Sequence, residues 1–159
     1  MNLHAFSEWL SATAFSQKIQ VTSWAIPGIQ TVHLLAIAGL FAAALVVALR
    51  VGGRGLASEP LPAVAGRFIR TIWLMLVVLL ATGSLLLIAE PGRTITNPVF
   101  YLKMTMVVLA CAITIWLSSV SRRELARPSP IHVVAAAFTM VLWTGVIFAG
   151  RFIAYVESY

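Results

Sequence analysis

The sequence predicts an all-α membrane protein: a four-transmembrane-helix up-down bundle with an N-terminal amphipathic interfacial helix. Of its 159 residues, 60% are hydrophobic and only 10% are charged, whereas soluble domains carry about 25% charged residues. A chain this short cannot hide so many apolar side chains from water, so its solvent must be lipid. Four apolar runs each reach about 20 residues, the length that crosses a bilayer. We therefore treat residues 1–159 as a single membrane domain.

Residues 2–18 are predicted to form the amphipathic helix. The apolar face holds Leu3, Phe6, Trp9 and Leu10, and the polar face holds Ser7, Glu8 and Ser11. A helix with this division lies in the plane of the membrane interface. A short helix packed on the bundle, as in a soluble protein, is the alternative.

The four spans are predicted at residues 25–49, 69–89, 98–120 and 131–152. Pro27 falls in the first turn of the first span, where a missing N–H costs little. Residues 50–66 are rich in Gly and Pro and are predicted to form a loop. The sequence Glu90-Pro91-Gly92 is a turn signal that ends the second span. Pro128 and Pro130 break the chain before the fourth.

The basic residues predict the orientation. One side of the membrane receives seven arginines, Arg50, Arg54, Arg67, Arg70, Arg122, Arg123 and Arg127, and the other receives Lys18, Arg93, Lys103 and Arg151. The positive-inside rule makes the first side cytoplasmic. We therefore expect both termini in the periplasm and the protein in a bacterial inner membrane. The net charge of +6 then reflects topology and lipid contact, so nucleic acid is not an expected partner.

Several kinds of site are excluded by residue content. Cys111 is the only cysteine, so an internal disulfide or a thiolate cluster for zinc or iron–sulfur is impossible. The chain contains no Asp and no nucleophile motif, which argues against an independent hydrolase.

His33 is the central candidate for chemistry. It lies roughly 10 Å below the outer end of the first span at 1.5 Å per residue, and Gln30 is one turn above it on the same face. Ionisable residues at such depth face the bundle interior and mark functional sites. His33 is predicted to be an axial haem ligand, hence the metal ligand, or a hydrogen-bond donor to a quinone carbonyl. A neutral imidazole bonded to a carbonyl or hydroxyl is the structural alternative.

Four further residues are candidates for the same site. Lys103 and Arg151 lie at outer helix ends, where they would pair with haem propionates or extend to lipid headgroups. Met106 is a candidate sixth ligand or a packing residue. Trp143 lies mid-span and would stack on a flat cofactor or fill space.

The other two histidines are not expected to join His33 at one iron. His132 opens the fourth span at the cytoplasmic edge, about 15–20 Å from His33 along the membrane normal. We predict an interfacial role for it. His4 lies in the surface helix and is expected to be a surface residue.

Three segments resemble a known family. They are Trp24–Ala38 (WAIPGIQTVHLLAIA), Asn97–Lys103 (NPVFYLK) and Gly150–Tyr155 (GRFIAY). Together they resemble a widespread bacterial family of small four-helix integral membrane proteins of unknown function, itself distantly like small membrane b-type cytochromes. The resemblance implies the architecture and draws attention to His33, Lys103 and Arg151.

Two functions from different classes follow as hypotheses. In the first, the protein binds haem b or quinone in the outer half of the bundle and transfers electrons, for example as a subunit of a larger oxidoreductase. In the second, it holds no cofactor and is a membrane scaffold or accessory subunit that oligomerises or docks a periplasmic partner. A small transporter or channel is less favoured, because the chain lacks the paired broken helices typical of transporters.

Overall fold

A computed structural model describes residues 3–56, 58–121 and 129–153, and this part of the chain is all-helical. The helices are α1 (Leu3–Ser11), α2 (Ala14–Val21), α3 (Ala25–Val51), α4 (Leu61–Ala89), α5 (Pro91–Ile95), α6 (Pro98–Ser121) and α7 (Pro130–Phe152). Predicted features at residue 2, at Arg122, Arg123, Arg127 and Pro128, and at Ala154 and Tyr155 lie outside the described residues.

Helices α3, α4, α6 and α7 are long and apolar enough to cross a membrane. They contain 27, 29, 24 and 23 residues. At 1.5 Å per residue each therefore exceeds the roughly 30 Å of hydrocarbon in a bilayer. These four helices support a multi-pass membrane protein, as the composition predicts.

Helix α4 begins at Leu61, whereas the sequence predicted a span from residue 69. Pro60 precedes it with an extended backbone (φ −64°, ψ 139°), and Pro62 lies in its first turn. Proline is well tolerated there because the first N–H groups of a helix have no partner within it. The predicted loop over residues 50–66 shortens accordingly to residues 52–60, and Gly53 supplies the positive φ of 71° after α3.

The single helix predicted over residues 2–18 is divided into α1 and α2. Thr13 interrupts it with an extended backbone, and its hydroxyl accepts the Ser16 N–H at 3.3 Å to start α2. In α1, Ser7 is only 5% exposed, whereas Leu3 and Trp9 are 54% and 62% exposed. Ser7 on the polar face of α1 therefore faces the protein, whereas Leu3 and Trp9 on the apolar face are left uncovered.

The long helices form two apolar clusters. Around Trp143 lie Leu40, Ala43, Ala44, Ile72, Leu76, Ala110, Leu142 and Val146. A second cluster joins the end of α3, the start of α4, the later part of α6 and the start of α7 through Val47, Val51, Leu61, Ala65, Ile69, Leu117 and Ala136. Small residues in both clusters allow close helix contact.

Helix α2 is bonded to the end of α4. Ser16, fully buried, donates its hydroxyl to the Ile88 carbonyl at 2.7 Å. Gln20 Nε2 donates to the Ala89 carbonyl at 2.9 Å. The last carbonyls of a helix have no partner within it, so these two bonds complete α4 and fix α2 against it.

Replacing Ser16 by Ala should lower the free energy of unfolding by about 1–3 kcal/mol, because it leaves the part-buried Ile88 carbonyl without its donor. Thermal unfolding of the purified protein in detergent measures the change. Ser119→Ala is the matched control: Ser119 is exposed and donates within its own helix. If Ser16→Ala were as stable as this control, the bond would contribute nothing.

Candidate functional site

His33 is half-buried on α3 and is hydrogen-bonded to α4. Its Nδ1 lies 2.7 Å from Thr82 Oγ1, and that hydroxyl lies 2.7 Å from the Val78 carbonyl. A carbonyl only accepts, so the one hydroxyl hydrogen of Thr82 is donated to Val78. His33 Nδ1–H must therefore donate to Thr82, and in the neutral ring Nε2 keeps a free lone pair.

A glycine lies against the imidazole. A Cβ added to Gly83 would lie 3.5 Å from His33 Cε1, the atom between the two ring nitrogens. Gly83 thus forms a notch in α4 beside the ring. A Cβ there would make ordinary van der Waals contact with the ring, and a larger side chain would crowd it.

Lys103 on α6 is half-buried, and its ammonium lies over α7. Its Nζ is 3.7 Å from the position that a Gly150 Cβ would occupy. Within the described residues it has no hydrogen bond or ion pair, and its charge is close enough to act on His33. The structure therefore brings these two predicted site residues into the same part of the bundle.

Gln30 and Arg151 are exposed. Neither is hydrogen-bonded to His33 in the part of the chain that the structure describes. Their predicted roles as cofactor contacts would require a ligand that reaches the outside of the bundle.

Met106 and Trp143 pack inside the bundle. The Met106 sulfur would lie 2.8 Å from a Cβ at Gly145, so it occupies the space that this glycine leaves on α7. Trp143 is 3% exposed and is part of the main apolar cluster, and its Nε1 has no hydrogen-bond partner among the described residues. Met106, Trp143 and His33 each lie about 12–14 Å along their helices from the nearer helix end. Met106 and Trp143 thus fill interior space between the helices.

Side chains therefore fill the interior between the four helices around Trp143 and Met106. The described residues line a cavity of about 500 Å³ at the α1–α4–α5 corner and another of about 20 Å³ between α3, α4, α6 and α7. His33 lines neither of them, and no group of three or more His, Cys, Asp or Glu side chains in the described ranges could hold a metal ion.

His132 has a structural role, whereas the His4 side chain is exposed. His132 Nδ1 accepts the Ser129 N–H at 3.0 Å and so caps α7, and its ring packs on Trp116 with centroids 5.2 Å apart. His4 is exposed, and its carbonyl accepts the Ser7 hydroxyl. Neither contributes to the site at His33.

The bond from His33 to Thr82 matches the structural alternative, an imidazole bonded to a hydroxyl, but neither Thr82 nor Gly83 was predicted to take part. Thr82 fixes the imidazole and Gly83 leaves the notch, but both act through packing between α3 and α4, for which the sequence carries no local signal. The large cavity near Glu90 and Arg93, which form an ion pair at 3.2 Å, was also missed.

Comparison with known proteins adds no relative: no protein-family model, curated protein or solved structure matches the chain. The family resemblance of the three sequence segments therefore stays a prediction.

The hydrogen bonds predict opposite tautomers for two histidines. In the neutral ring His33 should carry its hydrogen on Nδ1, whereas His132, which accepts at Nδ1, should carry it on Nε2. ¹⁵N NMR of histidine-labelled protein at mildly alkaline pH distinguishes the two. Thr82→Val should remove the His33 preference and leave His132 unchanged. A hydrogen on His33 Nε2 in the unmodified protein would contradict the assigned bond.

Proposed function

We propose that the protein binds a lipid-soluble quinol in the outer half of its bundle, with the head group at His33 Nε2. The observation that carries this proposal is the His33–Thr82 bond, which uses Nδ1–H and leaves a lone pair at Nε2 beside the Gly83 notch. A lone pair on a fixed ring is suited to accept a hydrogen bond from a guest hydroxyl.

The tautomer favours the reduced form of the guest. The sequence suggested that His33 donates to a quinone carbonyl, but the neutral ring described above accepts at Nε2. A quinol hydroxyl matches this acceptor, and a quinone carbonyl does not. Haem is disfavoured because side chains fill the bundle interior around Trp143 and Met106.

The electron acceptor would belong to another protein. Quinol oxidation releases two electrons and two protons. We propose that a redox centre in a partner subunit of a larger membrane oxidoreductase receives the electrons. One proton passes to His33 Nε2 and then, like the second proton, to water at the outer surface. Lys103, without a partner among the described residues, and the exposed Arg151 would bind anionic groups at the outer membrane surface.

We also propose that the four long helices run up and down, with both termini in the periplasm of an inner membrane. Two contacts support the alternation. Asn97 Nδ2 donates to the Ile153 carbonyl at 3.4 Å, which joins the start of α6 to the end of α7, and Ser16 joins the segment before α3 to the end of α4. The uncovered apolar face of α1 supports its placement at the membrane interface.

The topology can be tested by cysteine labelling after Cys111→Ala removes the native thiol. Gly92→Cys, where an added Cβ meets open space, should react with a membrane-impermeant maleimide in intact spheroplasts. Ser58→Cys, exposed on the connection between α3 and α4, should react only after permeabilisation. The reverse pattern would show that the protein has the opposite orientation in the membrane. Equal labelling of the two cysteines in intact spheroplasts would contradict the alternating arrangement of the helices.

Quinol binding can be tested with the purified protein. A short-chain quinol should bind to the unmodified protein, and His33→Leu should weaken binding by about tenfold or more, the loss expected from one strong hydrogen bond. Gly83→Leu should weaken it as well by filling the notch. Tryptophan fluorescence quenching and chromatography of extracted lipids measure binding.

His4→Gln is the matched control, because the His4 side chain is exposed and only its carbonyl is bonded. Equal affinities of the His33→Leu and His4→Gln proteins would contradict the site. A Soret band in the purified protein would show that the ligand is haem and not a quinol. A colourless protein that binds no quinol would favour the scaffold function.

A further inference from the structure

A cavity near Glu90 is separate from the His33 site. It is open to the outside of the protein and has a volume of about 500 Å³. It lies between the polar face of α1 and the corner where α4 meets α5. Its polar lining consists of Ser7, Glu8, Ser11, Gln20, Glu90 and Arg93. None of these residues was predicted to bind a ligand, and His33 is not among them.

The two serines of the lining can only accept further hydrogen bonds. Ser7 Oγ donates to the His4 carbonyl at 2.8 Å, and Ser11 Oγ donates to the Glu8 carbonyl at 2.8 Å. A hydroxyl has one hydrogen, and a carbonyl cannot donate, so both hydrogens are used. Each serine Oγ atom therefore keeps a lone pair that can accept a hydrogen bond from a ligand.

Gln20 and Glu8 are likewise acceptors. Gln20 Nε2 donates to Ser16 Oγ at 3.0 Å and to the Ala89 carbonyl at 2.9 Å, which uses both amide hydrogens and leaves Oε1. The Glu8 carboxylate accepts only and has no ion pair within the described residues. Glu90 is neutralised by Arg93 at 3.2 Å, so Glu8 gives the lining a net charge of −1.

We propose that this cavity binds a primary ammonium group. The acceptors Ser7, Ser11, Gln20 and Glu8, with one uncompensated negative charge, suit a cation that is rich in donors. A primary ammonium has three N–H donors and no acceptor. A quaternary ammonium has the same charge but no N–H, so it would leave the acceptors unpaired. The remaining donors of Arg93 lie on the same lining and suit a phosphate next to the amine, as in an ethanolamine phospholipid headgroup.

Native mass spectrometry of the detergent-solubilised protein tests the proposal. Phosphatidylethanolamine and phosphatidylcholine with identical acyl chains are titrated in parallel. The ethanolamine lipid should bind about tenfold more tightly, as expected for a charge-assisted hydrogen bond that only a primary ammonium makes. Glu8→Gln should abolish the preference, and Ser11→Ala should reduce it. Glu59→Gln is the matched control, because Glu59 pairs with Arg67 outside the cavity.

Free ethanolamine distinguishes the two sources of the ammonium. Displacement of the lipid by millimolar ethanolamine, but not by tetramethylammonium, would identify the ammonium alone as the ligand. No displacement, with the lipid preference intact, would identify the whole headgroup. Equal binding of the two lipids to the unmodified protein together with no effect of ethanolamine would overturn the proposal, as would a preference that survives Glu8→Gln in a protein with unchanged thermal unfolding.

Discussion

The structure depends on the need to satisfy each polar group of a span without water. Each threonine of the four long helices meets this need within its own helix, because its hydroxyl donates to the carbonyl four residues earlier. These threonines are Thr31, Thr71, Thr82, Thr105, Thr114, Thr139 and Thr144. His33, Lys103 and Trp143 cannot do so. His33 is satisfied across helices by the remaining acceptor capacity of Thr82, whereas no partner is found for the Lys103 ammonium or Trp143 Nε1 among the described residues. An unpaired buried N–H costs about 1–3 kcal/mol.

The two ends of the bundle differ in how their polar groups are used. One end of the bundle holds the connection between α3 and α4 and the start of α7. There, Arg50 donates to the Glu59 carbonyl at 2.7 Å, Glu59 pairs with Arg67, and His132 caps α7. These contacts are internal to the protein and complete helix ends or connections. At the other end, Lys103 lacks a partner within the described ranges, and His33 retains a free lone pair. Lys103 and His33 therefore retain capacity for binding at the end where both proposed sites lie.

The sequence predicted the four long apolar helices because hydrophobic length is a local property of a chain. It missed the start of α4 because prolines and glycines suggest a loop, although Pro60 and Pro62 are compatible with a helix start. The break at Thr13 had a local signal, a threonine able to cap the N-terminus of α2. The site at His33 was predicted only as a position: its acceptor character comes from Thr82, 49 residues away along the chain. The acceptors of the large cavity could not be predicted, since Gln20 is fixed by the end of α4.

The relation between the two sites favours a lipid-soluble guest at His33. Ile26 and Ala89 line the cavity. Ile26 lies seven residues before His33 on α3, and Ala89 lies seven residues after Thr82 on α4. Seven residues are two helical turns, so the members of each pair share a helix face and lie about 10 Å apart. The intervening turn carries Ile29 and Leu86, both half-buried and apolar. A polar solute in the cavity would have to pass this apolar turn to reach the imidazole, at the cost of its hydration. A guest that already resides in the bilayer meets no such barrier beside Gly83. The same apolar turn keeps the cavity independent of His33, so an ammonium bound at Glu8 would not need the imidazole.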